Sequence, residues 1–415
     1  MHPPLRSARS LFLPAVLALT LLLAAASPVC LWDTDTLKTE AAGAPGVVEA
    51  IVGRFDRFPA RYYEMRLERV SGLLATEPDA LAAYDDAGVA CERLGRGDEA
   101  IEWMGRKRAA LDRLAARGEV DAHHEYTYLA NLGTFHVHRR LRSGAKADAT
   151  LDLEEGRDLL RAAIELNPDA HFGRERWQLM GVEWLVELAA TPLIQSSEVG
   201  PAATFLPIGT DGGPWLGRNE LEKAGYDDAV EGLVGLITLG SAWESVDVVI
   251  ALELALIDRG DGHLARVASL RATELLNSGH ESLARSGSGL GYDAIELPSN
   301  YLYPQDAAKL DAFFVEARAS ADAWRFRRNE FVLGRLAEGR HPDTDPSFWR
   351  GWKDRPAMPT IPGHDLGSWL SSNWEFASWI ALGLVASLLV GLVVLAVRIV
   401  RRLRRLRRSA LTTSA

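Results

Sequence analysis

His123-His124 and the pair His136 and His138 are the densest potential metal ligands in the chain. A protein metal site needs three or four ligands converging on one point. On a helix, residues i and i+2 point about 200° apart, so His136 and His138 cannot face one ion. No His-Glu-x-x-His occurs. No metal site is expected, and His136 is expected as a core or groove histidine. Ser286-Gly287-Ser288-Gly289-Leu290-Gly291 has glycines that could cradle a phosphate. It lacks the terminal Lys-Ser/Thr and follows no strand-like run, so a link between helices is expected. No Gly-x-Ser-x-Gly occurs. His171, Arg174, Glu175 and Arg176 follow Asn167-Pro168 as a compact polar group at a helix start. Capping and solvation account for it, with anion binding as the sharper alternative. Two cysteines, Cys30 and Cys91, exclude a disulfide scaffold and a zinc site of several thiolates. Cys91 is expected as a core thiol. The reading is of a protein that is not an enzyme, with no catalytic residues, cofactor or metal.

The elements available to position these groups are bounded by composition and by the two ends. The chain has 415 residues, 47% hydrophobic and 25% charged, which suits burial of a core. The first 26 residues carry no acidic group, and Arg6 and Arg9 precede an apolar stretch ending in Ala24-Ala25-Ala26. This is the anatomy of a secretory signal over 1–26. An uncleaved anchor is the alternative, because the apolar run extends through Cys30-Leu31-Trp32. A lipidated Cys30 is a third reading, weakened by Ser27-Pro28-Val29. At the other end, residues 376–397 contain no charge. At 1.5 Å per residue they span about 33 Å, enough for a bilayer core. Trp374 and Trp379 lie at the start, and seven arginines follow in the tail, 398–415. A transmembrane helix is expected, with both basic ends cytoplasmic and the body between them periplasmic or otherwise extracytoplasmic.

Charge supports that division. The whole chain is −10, and the stretch between the two arginine-bearing ends comes to −19 once their nine arginines are set aside. So acidic a body argues against nucleic acid or anionic lipid as its partner. The tail should instead lie on the anionic inner leaflet, at about 1 kcal/mol per basic residue.

Residues 60–340 are rich in good helix formers, and alternating β-branched runs are scarce. Tyr84, Ala87, Gly88 and Cys91 share one helix face. Gly95 breaks that helix, and Ala100, Trp103 and Met104 face inward from the next. Small residues at Gly88 and Ala100 permit close approach, with Tyr84 and Trp103 filling the space beside them. Residues 81–112 thereby resemble a tetratricopeptide repeat, departing from it at Lys107, where a small residue is usual, and at Asp112, where proline is usual. A helix over 60–75 precedes in phase. Leu129, Leu132, Gly133 and His136, then Gly156, Leu160, Ala163 and Pro168, follow as a second unit with a long internal loop. Val249, Leu252 and Leu256, then Gly260, Ala265 and Ala272, make a further candidate.

The resemblance implies an all-α, antiparallel helix-hairpin solenoid, to which the charge-free run 376–397 adds the single C-terminal transmembrane helix. Its parts are repeats over 33–193, an irregular Gly/Pro-rich loop over 194–225, a second sub-array over 226–338 and a Pro/Trp-rich stalk over 339–373. Stacked hairpins curve into a concave groove. In this family such grooves commonly hold a protein or peptide partner, which is the function implied. Asp85, Asp86, Glu92, Arg93, Asn131, Thr134 and Arg139 are the expected groove-lining positions. Asn131 is the best of them, because a neutral amide can hydrogen-bond a peptide backbone at little desolvation cost. In the membrane helix, Gly383, Ser387 and Gly391 recur every four residues and suit close helix packing. Homodimerisation there, or service as an accessory subunit of a membrane complex, is the main alternative. A small-ligand site or enzyme with 194–225 as a lid is the lesser one.

Overall fold

The computed structural model describes residues 31–35, 46–119, 121–143, 150–168, 175–190, 204–208, 219–240, 242–283, 304–353 and 358–362. Among them every regular element is helical. Glycine and proline set many of the ends. Helix α1, Val47–Val52, stops at Gly53, whose φ of 80° is the left-handed cap that glycine adopts without strain. Pro59 immediately precedes α2, Ala60–Thr76. Helices α3, Leu81–Arg93, and α4, Gly97–Ala116, are separated by Gly95 at φ 76°. Then come α5, Ala122–Ser143, α6, Thr150–Leu166, α7, Glu175–Ala190, and the single turn α8, Glu220–Lys223. Helices α9, Ala229–Thr238, α10, Val246–Asp258, α11, Gly262–Asn277, and α12, Pro304–Ala337, complete the series.

Each helix from α2 to α7 packs on the next, as do α9, α10 and α11. The closest crossing joins α5 to α6, where Gly133 and Gly156 bring backbone against backbone. A Cβ at Gly156 would stand 2.8 Å from the Gly133 carbonyl oxygen, and one at Gly133 would stand 2.9 Å from that of Gly156.

Two main cores result. The first joins Leu31, Tyr84, Cys91, Ala100, Met104 and Phe135. The larger is built on α9, α10 and α11, and takes in Trp177, Phe205, Leu206, Ile208 and the first half of α12. A smaller cluster of Tyr62, Tyr63, Ala90 and Phe348 receives Val332 and Leu336 from the second half of α12.

The expected repeat-core positions Tyr84, Gly88, Cys91, Ala100, Gly133 and Ala163 are buried. Trp103 is half-buried, with the Arg106 guanidinium 4.3 Å over its ring. Pro168 is exposed, so it lies beyond the end of α6 and packs in no core. Helix α4 runs past Asp112 to Ala116, since nothing there interrupts it.

Two boundaries differ from the sequence expectation. Helix α8 falls inside the supposed irregular loop, and Phe205, Leu206 and Ile208 of that loop are core residues. The supposed stalk begins instead as part of the body. His341 and Phe348 are buried, because Phe348 enters the Tyr62 cluster and Asp343 meets buried Arg66. The signal segment 1–26, residues 286–291 and the span 376–397 with Gly383, Ser387 and Gly391 lie outside the described residues, as does the basic tail. No helix among the described residues is long and apolar enough to cross a membrane.

Candidate binding site on the inner faces of two helices

Asp85, Asp86 and Glu92 on α3, with Asn131 and Thr134 on α5, are buried rather than exposed. Residues 31–35 lie across part of this face. The Asn131 side chain accepts the Trp32 N–H at 2.9 Å through Oδ1 and donates from Nδ2 to the Trp32 carbonyl at 3.0 Å. It thus bonds both the N–H and the C=O of one backbone residue, which belongs to this chain and not to a partner. The Trp32 indole Nε1 donates to Glu175 at 2.9 Å, and Tyr126 donates to the same carboxylate. The Trp32 ring meets Tyr126 edge-on, at 5.2 Å and 89°. Thr34 donates its N–H and its hydroxyl to the two oxygens of Asp86, at 2.9 and 3.0 Å. Residues 31–35 thus cover this polar face.

Charges beneath the segment are neutralised in pairs. Lys107 Nζ donates to both oxygens of Asp85, at 2.7 and 2.6 Å, and to Thr127 at 2.6 Å. This explains the departure from the repeat pattern, because a small residue there would leave Asp85 buried without its cation. Burial pushes the Lys107 pKa down, and Asp85 opposes the shift. Burial also raises Asp86, against Arg66 and the Thr34 hydrogen bonds. Thr134 accepts from Gln178 at 2.9 Å.

Glu92 is held by His138 Nδ1 at 2.5 Å and by Arg142. Burial would raise its pKa, but these partners outweigh it and bring it to about 2. His136 Nδ1 lies 2.9 Å from Asp152, so the two histidines serve different carboxylates. Arg139, partly exposed, pairs with Asp152 and Asp98. Arg93 reaches the second sub-array, donating to the Leu239 and Gly240 carbonyls at 3.1 Å. Arg176 pairs with Asp228. Among the described residues, no group of three or more His, Cys, Asp or Glu could hold a metal ion.

The centre of the arrangement is Arg66 on α2, whose side chain is wholly buried. It donates to Asp33 at 3.0 Å, to both oxygens of Asp35 at 2.9 Å, and to Asp343 at 2.8 and 2.7 Å. Arg69 adds a contact to Asp343 at 2.7 Å. Burial alone would weaken the Arg66 charge, but Asp35 and Asp33 outweigh it and hold the guanidinium more firmly protonated. Tyr62 is stacked between Phe58 at 3.9 Å and His341 at 4.5 Å, and its hydroxyl donates to Asp35 at 2.6 Å. One arginine therefore fastens residues 31–35 to the segment that follows α12, through Asp33, Asp35 and Asp343.

Three histidines, His138 and His341 buried and His124 partly so, give an expected pH response. His124, His138 and His341 each have a lowered pKa, with burial the largest cause. The unfolded chain takes up a proton on each at about 6.5, while the folded chain does not. Stability is then complete above that value and is lost as pH falls through the window down to the folded pKa values. Glu92 adds nothing there, because its depressed pKa costs stability only below the carboxylate reference of 4.5. A denaturant midpoint lower at about pH 5 than at about pH 7.5 is expected. A midpoint flat across that range would show that these histidines titrate alike in both states.

Compared with known proteins, the chain matches no family model, no curated sequence and no solved structure.

Sequence reasoning found the polar face but not what covers it. Arg66 was open to inference: Tyr62, Arg66, Val70 and Leu74 recur every four residues, so an arginine stands in an apolar stripe and calls for buried carboxylates. Asp33 and Asp35, flanking Thr34 just after the apolar N-terminal run, are the acidic pair that answers it.

Proposed function

We propose that this protein is a non-enzymatic scaffold, tethered to a membrane through residues 376–397, whose tetratricopeptide-like body holds a helix of a protein partner outside the cytoplasm. One observation carries the reading: the outer face of α12 is an uncovered apolar seam. Val315 is 68% exposed, Phe326 66% and Leu333 38%. Ala312, Ala319, Ala323 and Ala337 are exposed on the same face. Their spacing follows steps of three and four, with Glu330 the one charged step, so they form a continuous stripe of large and small residues. Such a stripe complements a second helix, which seats its side chains beside the alanines. The inward-facing ionisable groups on α3 and α5 are already paired within the body, which supports a binding role over a catalytic one.

Phe326→Glu tests this, because it disrupts the seam without entering a core. Photo-crosslinking from Ala323 in native membranes should give a discrete adduct that Phe326→Glu abolishes, with helical circular dichroism unchanged. Crosslinking from Glu102 on α4 serves as the comparison. Adducts indifferent to Phe326→Glu would defeat the seam, and an adduct of twice the chain mass would identify the partner as a second copy.

A second reading has its own support. Asn131 grips the Trp32 backbone in the manner of a peptide receptor, so residues 31–35 occupy a seat that a partner peptide of similar chemistry could take in their place.

A further inference from the structure

Arg57, in the turn between α1 and α2, is a cation without a counter-ion. Its guanidinium lies over the ring of Trp243 at 4.4 Å and of Phe55 at 4.9 Å. Nη2 donates to the Gly53 carbonyl at a long 3.4 Å, and Nε is buried without a partner. Among the described residues, no carboxylate oxygen lies within 4.0 Å of it.

The carboxylates nearby are already engaged. Glu274 takes Arg271 and Arg318, Asp322 takes Arg318 and Arg325, and Asp56 takes Arg328. Glu244 is half exposed, 3.7 Å from His280. Arg271 stacks on Trp243 at 3.9 Å, with Arg318 5.6 Å from the same ring. Positive charge is thus in excess around one indole. Burial, and then the charge of Arg325, push the Arg57 pKa down to about 9 against the more distant pull of Glu244. Leaving a partly buried guanidinium in this state is unfavourable, and an anion would relieve it.

A cavity of about 260 Å³ opens beside Arg57, lined also by Phe55, Phe58, Tyr63, Arg93 and Trp243. Its walls are aromatic, and Asp56 and Glu244 complete the charged part of the lining. Asp56 is turned to Arg328 at 3.1 Å. Gly53 keeps the wall closed, since a Cβ there would stand 2.3 Å from the Trp243 ring. We propose that this cavity binds an oxyanion carried on a flat apolar body, an aromatic carboxylate or an aryl phosphate, with the Arg57 guanidinium as the fork that receives it.

Phenylglyoxal, whose carbonyl carbons are attacked by the neutral guanidine form of arginine, tests the assignment on the full chain in detergent, with each arginine followed by peptide mass mapping. Benzoate and phenyl phosphate are the probes, and benzyl alcohol is the neutral control of similar shape. One or both anions should slow modification of Arg57 roughly tenfold, corresponding to a modest charge-assisted pair, while exposed Arg106 is unaffected. Protection by benzoate alone assigns a carboxylate, and by phenyl phosphate alone a phosphate. By calorimetry, Arg57→Gln should abolish binding and Arg57→Lys, which keeps the charge, should weaken it. Equal Arg57 labelling with and without both anions would overturn the proposal. So would undiminished anion binding by a folded Arg57→Gln protein.

Discussion

Arg66→Ala should lower the unfolding free energy by about 3–5 kcal/mol, the range for breaking a buried ion pair from one side. The side chain is wholly buried, and three carboxylates converge on it. Removing the cation leaves Asp33, Asp35 and Asp343 without the arginine they share, while Arg69, one-third exposed, still meets Asp343. The chain relieves this by releasing the segments that carry the acids. Proteolysis should therefore cut first within 31–46 and 340–353, before the helices between them. Arg69→Ala is the control, and its exposure predicts a loss nearer 1 kcal/mol. Equal effects of the two substitutions would mean that Arg66 is not the fastening. Release of 31–35 would also open the Asn131 seat. A synthetic peptide of that sequence binding Arg66→Ala but not the parent would support the exchangeable-segment reading.

Gly156→Leu carries the second large effect. The new Cβ would stand 2.6 Å from Val137 Cγ2 and 2.8 Å from the Gly133 carbonyl oxygen. A valine methyl can rotate away, but a backbone carbonyl inside a helix cannot. Helices α5 and α6 must part, and overpacking of this kind costs about 3 kcal/mol or more when backbone is involved. The loss should appear as a lower urea midpoint, together with rapid amide exchange in 122–166 while α10 and α11 stay protected. Gly105→Leu, on the exposed side of α4, should change little, since no atom lies within 4 Å of a Cβ there. A Gly156→Leu protein as stable as its parent would show that this crossing can widen freely.

Much of the helical framework was legible because local signals agreed. Gly95 and Gly260, both left-handed, mark breaks between helices, and Tyr84, Ala87, Gly88, Cys91, Ala100 and Met104 are buried where the spacing placed them, with Trp103 half-buried beside them. Surface polarity was not legible. Asp85, Asp86 and Asn131 look like solvent-facing residues until Lys107 and residues 31–35 are placed beside them. Burial of a charge depends on a partner distant in sequence: 22 residues separate Lys107 from Asp85, and 277 separate Arg66 from Asp343. Local periodicity carries no record of such pairs. Residues 339–353 were misread for the same reason, because prolines and mixed charge suggest a tether until Tyr62, Phe331 and Arg66 supply a surface to meet them.

Helix α12 has a mechanical consequence. Solenoids built only from neighbour contacts flex like springs, because each unit yields slightly against the next. Here a single helix of 34 residues, a rod of about 51 Å, joins two of the cores. The rod's first half is keyed into one hydrophobic interior through Phe313 and Phe314, and its second into another through Val332 and Leu336. The two interiors are thereby splinted, and they can shift against one another only if the rod bends or one end pulls free.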